Sequence, residues 1–119
     1  MRYLHFTLIL VLLAPAGHAQ SPAATAGSGT THGGQVQTGS LNVLIGGQPA
    51  ARGGDTVLCP LVTPGLPPIP HVGGSIVSAS GSQTVLINGL PAARVGSVHT
   101  ENGPGATIIG GNTSVQIGP

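Results

Sequence analysis

The chain has almost no aromatic residues and almost no charge. Of its 119 residues only Tyr3 and Phe6 are aromatic, and tryptophan is absent. Everything beyond Phe6 must pack without a ring, which leaves Val, Ile, Leu and Ala to build any core. No lysine occurs, and Lys plus Arg number 3 against 2 acidic residues, for a formal net charge of +1. So few basic residues cannot form the positive patch that nucleic-acid binding requires, and no nucleic-acid partner is expected. Cys59 is the only cysteine, which excludes a disulfide within the chain. From His32 onward no long stretch is free of Gly or Pro, which excludes long helices.

Glycine, by contrast, is plentiful: there are 21, with 11 prolines. A glycine inside a regular element costs roughly 0.5–1 kcal/mol relative to alanine. The length fits one small domain. A thin core carrying this many glycines calls for support beyond burial, of the kind a metal or a partner supplies.

At the N-terminus Arg2 precedes the apolar run Leu4 to Leu13, broken by His5 and Thr7, and then Ala14-Pro15-Ala16-Gly17-His18-Ala19. This is the layout of a secretory signal peptide with cleavage expected after Ala19. The run falls short of the ~20 apolar residues of a comfortable membrane span. Residues 1–19 therefore read as a signal peptide or as a marginal membrane anchor. If it is cut, the protein is exported, periplasmic or secreted; if not, this segment is the chain's one attachment to a membrane. Residues 20–31, rich in Ala, Ser, Thr and Gly without periodicity, are expected to be a flexible linker. Residues 32–119 are expected to form the domain.

Within that domain one tetrapeptide occurs twice, as Pro49-Ala50-Ala51-Arg52 and Pro91-Ala92-Ala93-Arg94. The approach to each also repeats, Gly39 to Gln48 aligning without a gap on Gly81 to Leu90. A truncated third copy, Gly111 to Gly118, keeps the Gly-x-x-x-Val-x-Ile pattern. Such duplication marks a repeat architecture. The expected fold is all-β, a small domain of short hairpins with pseudo-threefold internal repeats. Val-x-Ile places two β-branched residues on one strand face, so Val43, Ile45, Val85, Ile87, Val115 and Ile117 are the expected core. Asn88-Gly89 is a strong hairpin-turn signal, and Gly46-Gly47 holds the equivalent place. Pro60, Pro64, Pro67, Pro68 and Pro70 predict a stiff, extended connection between the halves.

Outside the leader the strong soft-metal ligands are His32, Cys59, His71 and His99. Quasi-symmetric stacking of the repeats would bring them toward one end, where three imidazoles and a thiolate suit a closed four-coordinate structural zinc site. Their spacing matches no zinc-finger pattern, and surface histidines with a small buried cysteine are the alternative reading. A Cys–His nucleophile would need an orienting group and a cleft, and the chain offers only Asp55 and Glu101 as acids, so no enzyme is expected. Arg52 and Arg94 read either as carboxylate-binding residues or as caps of their own hairpins, with a local Arg52–Asp55 pair.

The doubled Pro-Ala-Ala-Arg, the Gly-Ser-x-x-Val-x-Ile-x-Gly before it and the His-x-Gly-Gly upstream resemble the PAAR-repeat family over residues 32–119. The resemblance implies a cone of β-hairpins that sits on and sharpens a VgrG-like trimeric spike of the type VI secretion system. It implies one structural Zn2+ held by three His and one Cys, matched here by His32, Cys59, His71 and His99. It also implies a non-enzymatic role, with effector proteins bound non-covalently. Such proteins assemble in the cytoplasm and are delivered by the secretion machine, so a leader is a departure. An exported zinc-binding β module that uses the same cone outside a secretion machine is the alternative.

Overall fold

A computed structural model of the chain describes residues 20–72 and 74–119. The expected leader, residues 1–19, lies outside the described residues. The strands in chain order are β1 (Ser21–Ala23), β2 (Gln35–Val36), β3 (Leu44–Ile45), β4 (Gln48–Pro49), β5 (Thr56–Leu58), β6 (Val62–Thr63) and β7 (Ile69–Pro70). They continue as β8 (Gly74–Ile76), β9 (Leu86–Ile87), β10 (Leu90–Pro91), β11 (Val98–Glu101), β12 (Gly103–Thr107) and β13 (Asn112–Ile117). One 3-10 turn, Ser78–Ser80, interrupts an otherwise all-β domain, as the Gly and Pro content dictates.

The two tetrapeptide copies form matching hairpins. β3 and β4 pair Leu44 with Pro49 and Ile45 with Gln48; β9 and β10 pair Leu86 with Pro91 and Ile87 with Leu90. Gly46 and Gly47 have φ of 60° and 83°, and Asn88 and Gly89 have 55° and 81°. Two left-handed residues in a row are what a two-residue type I′ hairpin demands.

The third hairpin is split between the ends of the domain. β1 pairs antiparallel with β13, Ser21 opposite Ile117 and Pro22 opposite Gln116. That register is the one the other hairpins use, with Pro22-Ala23-Ala24-Thr25 standing where the Pro-Ala-Ala-Arg copies stand. Residues 21–31 are therefore not a flexible linker. Ala23 and Ala24 are fully buried, because their strand supplies the missing half of the truncated third unit.

Three units then close on one another. The Ala24 amide donates to the Ala93 carbonyl (3.0 Å), Ala93 to Ala51 (2.9 Å) and Ala51 back to Ala24 (3.0 Å). A second ring follows one step on: Ala26 donates to Pro49, Gly53 to Pro91 and Val95 to Pro22, at 2.8–2.9 Å. Backbones that meet around a common axis leave room for a methyl group and little more, which is why the repeat carries alanine there. The approach to each hairpin is just as close. A Cβ on Gly39, Gly81 or Gly111 would lie 2.7–2.8 Å from the carbonyl oxygen of Ala50, Ala92 or Ala23 respectively.

This geometry shifts the core away from the expected Val-x-Ile residues. Ile87 and Ile117 are buried and Val43 and Ile45 half-buried, in a layer with Ala23, Ala50 and Ala92. Val85 and Val115 are each 37% exposed. A second layer consists of Val36, Val57, Ile76 and Ile108 around Ala24, Ala51 and Ala93. The axis is filled by small residues, so the larger ones are distributed above and below it.

Beyond the ring each unit turns into an arch. The turn is closed by the amide of Thr25, Arg52 or Arg94 donating to the side chain of Ser28 (2.9 Å), Asp55 (2.7 Å) or Ser97 (3.1 Å). The arches return at Val36, Ile76 and Ile108, whose amides donate to the carbonyls of Ser28, Asp55 and Ser97. Their strands join in one antiparallel sheet of order β12-β11-β8-β5-β2. The proline-rich stretch of the second arch is not extended as predicted. It folds back as a hairpin, β6 against β7, with Val62 opposite Pro70 and Thr63 opposite Ile69. Here the prolines stiffen a two-stranded projection whose edges need few amide donors.

Candidate metal centre

Each arch sends polar side chains to one place. From the first comes His32, at the turn before β2. The second supplies Cys59, one residue past β5, and His71, one residue past β7. The third supplies Glu101 at the end of β11. Among the described residues these four form a group whose ligand atoms all lie within 4.8 Å of one another. Cys59 Sγ is 3.7 Å from His32 Nδ1 and 3.9 Å from His71 Nδ1. Glu101 Oε1 is 3.1 Å from His32 Nδ1, and Oε2 is 3.2 Å from His71 Nδ1. A tetrahedral zinc with bonds of about 2.0–2.3 Å separates its ligand atoms by roughly 3.3–3.6 Å, so the group has the dimensions of such a site.

Of the residues expected at the site, the structure brings His32, Cys59 and His71 together. His99 is buried beside them in β11, outside the group of four. Its Nδ1 lies 3.3 Å from the Thr100 carbonyl oxygen and 3.7 Å from Glu101 Oε1. Glu101 was not expected there. It is two residues beyond His99 on the same strand and so points to the same face. The register shifts between the two, with the extra residue on β12: His99 is opposite Ala106, and Glu101 is opposite Gly103. The signal in the sequence was an acid at the second position after a histidine in a chain with hardly any acids.

The surroundings hold these groups in place. Thr63, on the proline-stiffened hairpin, lies with its Oγ1 2.6 Å from His71 Nε2. A hydroxyl there orients the ring and leaves Nδ1 turned inward, the arrangement that fixes metal-binding imidazoles. Gly103, at φ 141°, sits against the same ring, where a Cβ would come 2.8 Å from its Cδ2 and Nε2. The Glu101 side chain is wholly buried and that of His32 is 21% exposed. Burial pushes the Cys59 thiol above its ordinary range, and the hydrogen bond to Glu101 and its charge push it further. Burial also acts to raise the Glu101 carboxyl. The hydrogen bond from Cys59 and the charges of His32, His99 and His71 outweigh it and hold the group below its usual range.

Arg52 caps its own unit. Its Nε and Nη2 each reach an Asp55 oxygen at 3.1 Å, and Nη1 reaches Asn88 Oδ1 of the neighbouring hairpin at 3.0 Å. The predicted Arg52–Asp55 pair is present and is structural.

Among the described residues no helix is long and apolar enough to cross a membrane. No curated protein matches the chain. The model of one family does, described as PAAR motif, and it matches twice, over residues 26–70 and 66–119.

Proposed function

From the premise that the chain belongs to the PAAR-motif family, we propose that it is a non-enzymatic, zinc-stabilised tip that caps and sharpens a VgrG-like trimeric spike of a type VI secretion system. The family's structural spike-tip role is a mechanical one, and members associate with VgrG spikes. The observation that carries the reading for this chain is the closed ring of Ala24, Ala51 and Ala93. Through it a single chain presents three equivalent hairpins, the symmetry that a cap on a three-chain spike requires. Leu44, Leu86 and Leu90 are exposed on two of those hairpins, with Val85 and Val115 partly so. Apolar surface at that end supports docking on a partner.

Zinc is the proposed ion. A thiolate with imidazoles suits it, and a closed set of four ligands is its structural arrangement. His32, Cys59 and His71 would hold it, with His99 as the fourth ligand by family resemblance. Bound there, the ion ties the three arches together. Binding in small structural zinc sites contributes about 10–16 kcal/mol of folding free energy, the support that an aromatic-free core lacks.

The test is metal analysis of the full chain beside a Cys59→Ser, His71→Ala double variant, followed by co-purification with a trimeric β-helical spike. One zinc per chain, absent from the variant together with much of its stability, and capture by the spike are expected. A folded, metal-free protein that ignores the spike would refute the reading. Effectors, where carried, would co-purify without covalent linkage.

A second reading rests on the apolar segment Leu4 to Leu13 with the small residues before Gln20. In it the same cone is exported and works in the periplasm or at the surface, outside a secretion machine. Terminal sequencing after cell fractionation separates the two. A periplasmic protein starting at Gln20 favours export, and an intact cytoplasmic chain favours assembly on the spike before firing.

A further inference from the structure

We propose that Glu101, in place of His99, supplies the fourth ligand, so that the ion sits among Cys59, His32, His71 and one carboxylate oxygen. The inference rests on the metal-pinned reading above and departs from the ligand set that the family resemblance implies.

Three observations carry it. First, only Glu101 completes a group whose ligand atoms are mutually within 4.8 Å; His99 falls outside that group. The His99 Nδ1 instead meets the Thr100 carbonyl oxygen at 3.3 Å. Second, Glu101 Oε2 is buried and has no hydrogen-bond partner, although His71 Nδ1 is 3.2 Å away. An ionised oxygen withdrawn from water without a donor is costly, and a cation alongside it removes the cost. His99 Nε2 is also buried without a partner, so what separates the two residues is that the Glu101 oxygen, and not a His99 nitrogen, falls within the group of four. Third, Glu101 reaches both histidines of the group, Oε1 to His32 Nδ1 at 3.1 Å and Oε2 to His71 Nδ1 at 3.2 Å, as a ligand that shares one ion with those two nitrogens must.

His99 then serves as a positioning residue. Its ring fills the space behind Oε1, 3.7 Å away, and keeps the carboxylate turned toward Cys59 and His71.

X-ray absorption at the zinc edge of the zinc-loaded full chain tests this without altering the protein. One sulfur, two imidazoles and one non-imidazole oxygen are expected; one sulfur with three imidazoles would overturn it. Zinc competition on Glu101→Gln and His99→Gln provides the second arm. Glu101→Gln should weaken binding by well over the ~10–100-fold cost of losing an outer partner, and His99→Gln should stay within that range. The reverse order refutes the proposal while leaving the zinc-pinned tip standing. Failure of the parent to take up zinc removes both, and so separates the two outcomes.

Discussion

The hairpin end of the domain repeats itself three times down to single hydrogen bonds, and so do the turns that open the arches, while the far ends of those arches differ from one another. At the ring, equivalent positions carry the same residue, since Ala24, Ala51 and Ala93 face the same crowding. At the far end one arch brings His32, another Cys59 and His71, and the third His99 and Glu101. Repetition serves packing, because identical backbones meet at an axis only if their side chains are identical and small. A metal centre needs unlike donors at a single point, so the same symmetry has to be broken there. The arches differ in length for this reason. The first is short, and the second carries a whole extra hairpin that delivers Thr63 to the back of His71.

Stripping the ion should separate the two ends most sharply. Chelation removes the ~10–16 kcal/mol that structural zinc contributes. Amide exchange should then lose protection first at β5, β8 and β11, with the Ala24–Ala93–Ala51 ring the last region to open. Equal loss at both ends would mean that the domain has one cooperative unit rather than two regions. Next in size is Ala51→Leu, which puts three extra carbons at the axis. Overpacking of about 1–3 kcal/mol or more is expected, read as a lower denaturation midpoint with the zinc content of the folded fraction unchanged.

The pH response of ion-free protein probes the arch end alone. The folded-state pKa of Glu101 is lowered, so its contribution is present above the unfolded carboxyl value near ~4.3 and is lost as pH falls through the folded one. That of Cys59 is raised, so its contribution is present below the unfolded thiol value near ~8.5 and is lost as pH rises through the folded one. Chemical denaturation across pH should show greatest stability between roughly pH 5 and 8. In Cys59→Ser the alkaline fall should disappear. Gly103→Ala should displace the His71 ring and lower zinc affinity, with little change in the hairpin registers by NMR. The smallest effect is expected from Asp55→Ser, which makes the second unit's turn like those at Ser28 and Ser97. It keeps an acceptor for the Arg52 amide but loses the pair with the Arg52 side chain and the hydrogen bond from Thr38 Oγ1, for about 1 kcal/mol; a larger drop would show that the Arg52–Asn88 contact between hairpins depends on that pair.

The repeated end was largely legible in the sequence. The aligned copies, the turn pairs at 46–47 and 88–89 and the all-β character follow from local rules that hold in the folded chain. The third Pro-Ala-Ala, at residues 22–24, escaped because threonine ends it and its partner strand lies at the opposite end of the sequence. Composition made residues 20–31 look like a linker, and only the pairing of Pro22 with Gln116 gives them a place. The six Val-x-Ile residues were sound as a strand pattern but poor as a core, since alternation does not reveal that alanines occupy the axis. At the arch end the histidines and cysteine stand out by chemistry alone. Glu101 did not, because a glutamate is by default a solvated residue, and its burial depends on the side chains that the other two arches bring beside it.

The pairing of Ser21 with Ile117 also has a consequence in time. β1 leaves the ribosome before the other described strands and β13 after them, so the ring can form at Ala24, Ala51 and Ala93 while that outer unit stays open. The domain cannot mature unit by unit as it is synthesised. It is completed in a single late step, when β13 returns to β1, a long-range closure of the kind that makes folding slow.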